Sequence, residues 1–435
     1  MSRREPDRSD RERPRARGSN PFARGVDRRR VLRSSATVGA AAALSGCGAP
    51  TAAGGERAPT VSVFNNGDRT VTIVDAETDE ALETVHIGTT ASFPANQYGT
   101  GAESTYDICW LNVDGGVRAL DARTLEEVAD VETGLGPNYP NLTPDERHLV
   151  VAAGGTLTLD PDPAEPEEHR LVRVDADPES ETFGEVTAEL EVGYTGPCDV
   201  TLGPDGEYAY VADVANETLS VVRVDPFEIV ARIDAGDPVG EGDVLPFMCT
   251  ASFDGAYLLV ENGEGDLGPD PDVPREGSAG IWDLSDPEEP VERERLTRED
   301  GLPALPITSE IDPDSEAAYL FTPDADAVTV LDLEERAVDR VLDVGGSSIS
   351  GAWGPHREKL YVPIQTENRV AVIDHAERDV VATLEAGESP TGAVGGMVRP
   401  ETDALERVRG SLASLGLAVG SREPTFCPDD HCYCG

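Results

Sequence analysis

The densest group of chemically capable residues closes the chain. Phe426-Cys427-Pro428-Asp429-Asp430-His431-Cys432-Tyr433-Cys434-Gly435 puts three thiols and an imidazole within eight residues. Cys427, His431, Cys432 and Cys434 thus offer four soft donors to Zn²⁺ or Cu(I), the one class of cofactor the sequence suggests. The C-x₄-C-x-C spacing is not that of a standard zinc knuckle, and an exported chain oxidises close cysteines. One disulfide there leaves an odd thiol, so a metal site, a disulfide and an unliganded tail all stay open. Cys198, Met248 and Cys249 form a second soft-donor group, with a metal site, a disulfide or ordinary packing as its readings. Cys109, between Ile108 and Trp110, reads as a small buried apolar residue.

Other chemistries are missing from the sequence. No C-x-x-C-H occurs, which excludes covalent c-type haem. There is no G-x-S-x-G, no P-loop and no dinucleotide-binding glycine pattern. The six histidines, His86, His148, His169, His356, His375 and His431, are scattered without a His-x-x-x-His pair. Acidic stretches at Asp160-Pro161-Asp162-Pro163 and Asp266 to Asp272 offer oxygen ligands, yet neither fits an EF-hand, and they read as solvated loops stiffened by proline.

The elements that would position these residues come from a repeat. An alternating strand ends in Asp75, Asp121, Asp175, Asp225, Asp283, Asp332 and Asp374, seven times along the chain. A polar turn and another apolar strand follow each copy, usually closing on glycine. A β-rich segment such as Tyr208-Ala209-Tyr210-Val211-Ala212 precedes it, and before that a short run usually led by proline, as at Pro94, Pro137, Pro197 and Pro246. Four strands per unit and seven units predict an all-β seven-bladed propeller over residues 60–400. The chain enters at Val61–Asn65 as a second strand lacking a first, and Pro390–Val398 is left over at the other end. The two terminal segments are therefore predicted to share one blade, pairing edges that would otherwise stay open.

The run from Gly196-Pro197-Cys198-Asp199 through Pro204-Asp205-Gly206, Val211-Ala212-Asp213 and Asn216 to Asp225 resembles the YVTN-type β-propeller repeat family. The resemblance covers residues 60–398 and implies the fold; members serve varied roles, so it implies little about chemistry. On such a ring, connections after second and fourth strands share an upper face, which the segments Gly154–Glu168 and Gly263–Ser278 would enlarge. Cys198, Met248 and Cys249 would lie on inner strands near the channel, as would Asn138, Tyr139 and Trp353. Residues 401–419 carry Leu405, Val408, Leu412 and Leu415 at helical spacing and predict a short amphipathic helix, a lid on the lower face. The Cys/His tail, 420–435, follows it.

The N-terminal residues read as an address. Arg28-Arg29 within Asp27 to Arg33, a mild apolar run from Ala36 to Leu44, and Leu44-Ser45-Gly46-Cys47 look like a twin-arginine export signal joined to a lipoprotein cleavage box. That resemblance implies removal of residues 1–46, a lipid on Cys47 as membrane anchor, a linker over 47–59, and an extracytoplasmic location. The chain carries 84 acidic and 35 basic residues, a formal charge of -49. Loss of the signal leaves 79 against 23, which resembles proteins of salt-accumulating halophiles and excludes a general nucleic-acid binder. The leading expectation is a non-catalytic, membrane-anchored module binding a partner protein or small-molecule ligand on its outward, upper face. A metal-handling or redox protein built on the tail is the second, and a lactonase-like propeller hydrolase the third.

Overall fold

In the computed structural model the described residues are 56–89, 91, 93–95, 104–113, 115–133, 137–153, 169–193, 199–213, 217–239, 242–265, 276–402 and 404–413. They form six four-stranded antiparallel sheets and one with three described strands, arranged as seven blades. The three-stranded one is blade 2, Ile108–Val113, Gly116–Asp121 and Glu127–Glu132. Its inner position is marked by Ala95, whose N–H donates to the Trp110 carbonyl at 2.8 Å. Blade 1 is closed by the two terminal segments, as the leftover strands require. Pro390–Gly396 lies antiparallel to Thr60–Asn65, with Thr60 opposite Gly396 and Ser62 opposite Val394.

The repeating aspartate owes its place to turn chemistry. Asp75 Oδ1 accepts from the Glu77 and Thr78 N–H groups, Asp121 from Arg123, Asp175 from Asp177, Asp332 from Glu335 and Asp374 from Glu377, all at 2.7–3.2 Å. Each carboxylate thereby closes the turn between third and fourth strands. At Asp283 the Ser285 N–H, aided by Arg293, holds the carboxyl down at about 2. Blade 4 departs from the sequence reading. There Arg223, not Asp225, sits opposite Tyr208 at the strand end, where Glu288 takes both its guanidinium and the Tyr208 hydroxyl at 2.7 Å.

All seven outer strands carry a bulge at the corresponding place. Leu82, Val128, Thr187, Val230, Arg293, Asp339 and Val381 are each skipped in the pairing with the third strand. A bulge bends an edge strand and raises its twist, which blunts it as a template for pairing with another chain.

Between blades the packing is apolar, as where Tyr210, Leu219, Val221, Leu258, Val260 and Trp282 fill the seam of blades 4 and 5. Near the axis it is polar, and each seam is tied by a side chain of one blade bonded to the main chain of the next. Asn66 accepts from Ala91 N–H at 3.2 Å, and Asn112 donates to the Asn138 carbonyl at 3.1 Å. Asn141 donates to Val200 at 3.5 Å, and Asp199 accepts from Cys249 N–H at 2.8 Å. Thr250 donates to Ser309, Thr308 to Ile349 and Ser350 to Thr391, at 3.0, 2.6 and 2.6 Å. This girdle satisfies main-chain groups of inner strands that have no sheet partner on the channel side.

A helix spans Ala404–Ala413, inside the predicted range. It packs against the outer strand of blade 1, Glu80–His86, where Gly410 leaves no room for a Cβ against Thr84 and Arg407 reaches Glu83 at 3.7 Å. Val408 and Leu412 are exposed, 55% and 39%. Close backbone approach through Gly410 marks the docked side.

Candidate functional site

The two ends of the central channel differ. Where the inner strands begin, on the upper face, Phe93, Tyr139, Phe247, Met248, Ile307 and Ile349 belong to one buried apolar cluster. Phe93 and Tyr139 stack with centroids 4.1 Å apart. Where the inner strands end, on the lower face, a cavity of ≈ 210 Å³ opens. Blade 3 lines it with Asn141–Pro144 and Glu146, blade 4 with Thr201–Pro204, blade 5 with Ala251–Phe253, blade 7 with Arg357 and blade 2 with Ser104. The sequence places a ligand on the upper face; the structure puts this cavity on the opposite one, where the chain enters blade 1 at Thr60.

Five turns frame the lower face, each closed by an N–H bond to the carbonyl three residues back, at Glu146, Gly206, Gly255, Ser315 and Arg357. This last turn residue is left-handed in every one, with φ between 56° and 71°. Glycine takes that conformation freely, and in blades 4 and 5 it is also needed for space. A Cβ on Gly206 would stand 2.7 Å from Pro144 Cδ, and one on Gly255 3.1 Å from Pro204 Cγ. In the other three a side chain stands where glycine would be easiest. Glu146 accepts from the Ser104 hydroxyl and the Tyr106 N–H at 3.2 Å and from the Thr105 N–H. Ser315 donates to Asp254 at 2.9 Å. Arg357 lays its guanidinium 4.2 Å from the Phe253 ring centroid, bringing blade 7 over to blade 5 across the mouth.

Of the soft-donor group Cys198, Met248 and Cys249, the last two fall among the described residues. Cys249 is fully buried in the seam of blades 4 and 5, its Sγ 3.4 Å from the Tyr210 carbonyl, and burial pushes the thiol well up. Met248 belongs to the upper apolar cluster. Cys109 lies in a small cleft of ≈ 60 Å³ between blades 1 and 2, and burial pushes its thiol up to about 12. Asn138 contributes its carbonyl to the girdle, and Trp353 meets Tyr319 edge-on at 5.7 Å. Arg28, Arg29, Cys47, Cys198, Cys427, His431, Cys432 and Cys434 lie outside the described residues. Among the described residues no group of three or more His, Cys, Asp or Glu is arranged to hold a metal ion.

Three carboxyls in consecutive seams escaped the sequence reading. Asp199 faces blade 5, Glu261 faces Ser309 of blade 6, and Glu310 faces Trp353 of blade 7, none more than 1% exposed. Burial raises Asp199 to about 7 and Glu261 to about 8, and lifts Glu310 well above the carboxylate range. Neither Glu261 oxygen reaches a hydrogen-bond partner among the described residues. The signal available was a single acid inside an apolar strand, as in Val260-Glu261 and Glu310-Ile311. These groups are buried between blades and do not line the mouth.

No family model matches the chain, and no curated protein matches it. Solved structures do. A functionally unknown protein from Desulfotomaculum acetoxidans is similar with a TM-score of 0.55 at 16% identity, over 79% of this chain and 100% of that one. Kuenenia stuttgartiensis hydrazine synthase is similar with a TM-score of 0.53 at 17% identity, over 71% of this chain and 90% of that one. At such identities the likeness is one of fold: the chain is a seven-bladed β-propeller.

Proposed function

We propose that the chain is a non-catalytic binding module, exported and held at the cell membrane by a lipid on Cys47, whose ring offers a rigid platform to a ligand or partner. A seven-bladed propeller fits an interaction module. The observation that favours binding over chemistry is how the inner polar groups are used. Side chains near the axis are committed to the seam-to-seam girdle, and the lower mouth keeps a cavity with one arginine held across it. Such a wall is preorganised to receive a ligand without rearranging. The YVTN-type repeat resemblance and the twin-arginine and lipobox motifs support the rest of the reading.

Fractionation tests it. In a host with the export route, the wild-type chain is expected in the membrane fraction and Cys47→Ser in the soluble extracytoplasmic fraction. Equal membrane retention of both would reject the anchor.

A further inference from the structure

We propose that the helix on the rim of blade 1 is a lipid-contact surface, which lays Val408 and Leu412 in the bilayer interface and sets the anchored ring on edge. The inference rests on the lipid-anchor reading and deepens it, by assigning the part of the ring that the anchor holds against the membrane. Gly410 marks the docked side, where a Cβ would run into the Thr84 carbonyl. At about 100° per residue, the positions two before and two after it lie on the far side of the helix. Those positions are Val408 and Leu412, one turn apart and both exposed. A third apolar side chain, Leu82, is exposed at the bulge of the strand the helix covers. The rim of blade 1 thus holds three of the nine exposed large apolar side chains among the described residues, including both leucines.

Where the chain leaves the ring points to the occupant of that face. Glu56 and Arg399 exchange main-chain N–H to carbonyl bonds of 3.0 and 2.8 Å, and the helix begins at Ala404, five residues after Arg399. Nine residues carry the chain from Cys47 to Glu56, a span of roughly 30 Å at most, so a lipid on Cys47 keeps this corner of the ring within reach of the bilayer. Charge agrees. With 84 acidic and 35 basic residues, the surface at large is repelled by anionic headgroups. The helix reverses that ratio, with exposed Arg407 and Arg409 on either side of Val408 and Glu406 as its one acid. Arg407 also meets Glu83 at 3.7 Å, so the field there is close to neutral, and an apolar face flanked by arginines suits a helix lying in the interface. A second copy docked symmetrically on the same face would set arginines against arginines. Two side chains are too few to hold a protein on a bilayer unaided, but beside a tether their contact becomes intramolecular. A ring held this way leaves the cavity of its lower mouth open to solvent.

A tryptophan placed on that face reads the contact. Native Trp110, Trp282 and Trp353 are at most 3% exposed, so they lie beyond reach of a quencher in the acyl chains. The lipidated full chain with Val408→Trp is reconstituted in phosphatidylcholine–phosphatidylglycerol vesicles with and without brominated acyl chains, and flotation checks its attachment. Bromine is expected to lower the added emission at least about twofold, and to lower that of His356→Trp, on an exposed turn of the lower face, by less than about a tenth. Equally weak quenching of both in floated vesicles, or stronger quenching of His356→Trp, would overturn the proposal. So would blue-shifted Val408→Trp emission from the soluble Cys47→Ser protein before lipid is added, which would mean that the chain's own tail or a second copy covers the face. Failure to float would instead remove the anchor, and this surface with it. Leu412→Trp, on the same face, gives the reading if Val408→Trp folds poorly.

Discussion

The buried carboxyls turn proton chemistry into a stability effect at single residues. A carboxyl whose folded value is raised favours the native state while protonated; that contribution is complete below its unfolded value and is lost as pH rises through the folded one. For Glu261 the window runs from about 4.5 to about 8, and for Asp199 from about 3.8 to about 7. Chemical denaturation of Glu261→Gln should therefore match the wild type within about 1 kcal/mol at pH 4, below the unfolded value, the amide standing for the neutral acid. At pH 9 the variant should be the more stable by roughly 2 kcal/mol or more. Comparing the two at each pH cancels the titration of the surface acids; equal pH slopes would show that Glu261 is ionised and compensated. Reading acidic residues as solvated surface hides such groups, because in a chain with 84 of them a lone buried acid looks like the rest. The mouth was equally hidden. Phe253 and Arg357 are ordinary turn residues in sequence, and only ring closure brings blades 5 and 7 together.

Among the elements, the girdle makes each seam testable alone. Thr308→Val keeps the shape and removes the 2.6 Å bond to the Ile349 carbonyl, leaving that buried acceptor unpaired. The expected loss is about 1–3 kcal/mol of unfolding free energy; a loss under about 0.3 kcal/mol would mean the bond is incidental. Gly206→Ala should cost about 1–3 kcal/mol, from φ +71° and from Pro144 at 2.7 Å, and a neutral result would contradict the nesting of consecutive turns. Strand content was legible because alternation and turn aspartates repeat together. The register of blade 4 was not. A shift of two residues leaves the same side chains on the same face, so Val221 to Asp225 matched the repeat as text while Arg223 took the paired position. The helix was legible by period; its approach through Gly410 was not, since glycine against a neighbouring backbone leaves no periodic trace.

At the scale of the whole molecule, charge and closure act together. With 84 acids against 35 bases, unscreened repulsion opposes the folded ring, and the Debye length falls from about 10 Å at 0.1 M salt to about 3 Å at 1 M. The melting temperature should rise over that interval, and a flat profile would count against a salt-adapted surface. The fold itself rests on the terminal strands meeting in blade 1. Without Pro390–Gly396 the strand Thr60–Asn65 loses its inner partner, and the Ser350 bond to Thr391 that ties blade 7 to blade 1 disappears. The direct measurement is thermal unfolding of two shortened chains, one ending at Thr402 and one ending at Glu388. The closed ring predicts a single sharp transition close to that of the full chain for the first, and loss of cooperative unfolding for the second. Indistinguishable transitions in the two would contradict the closure.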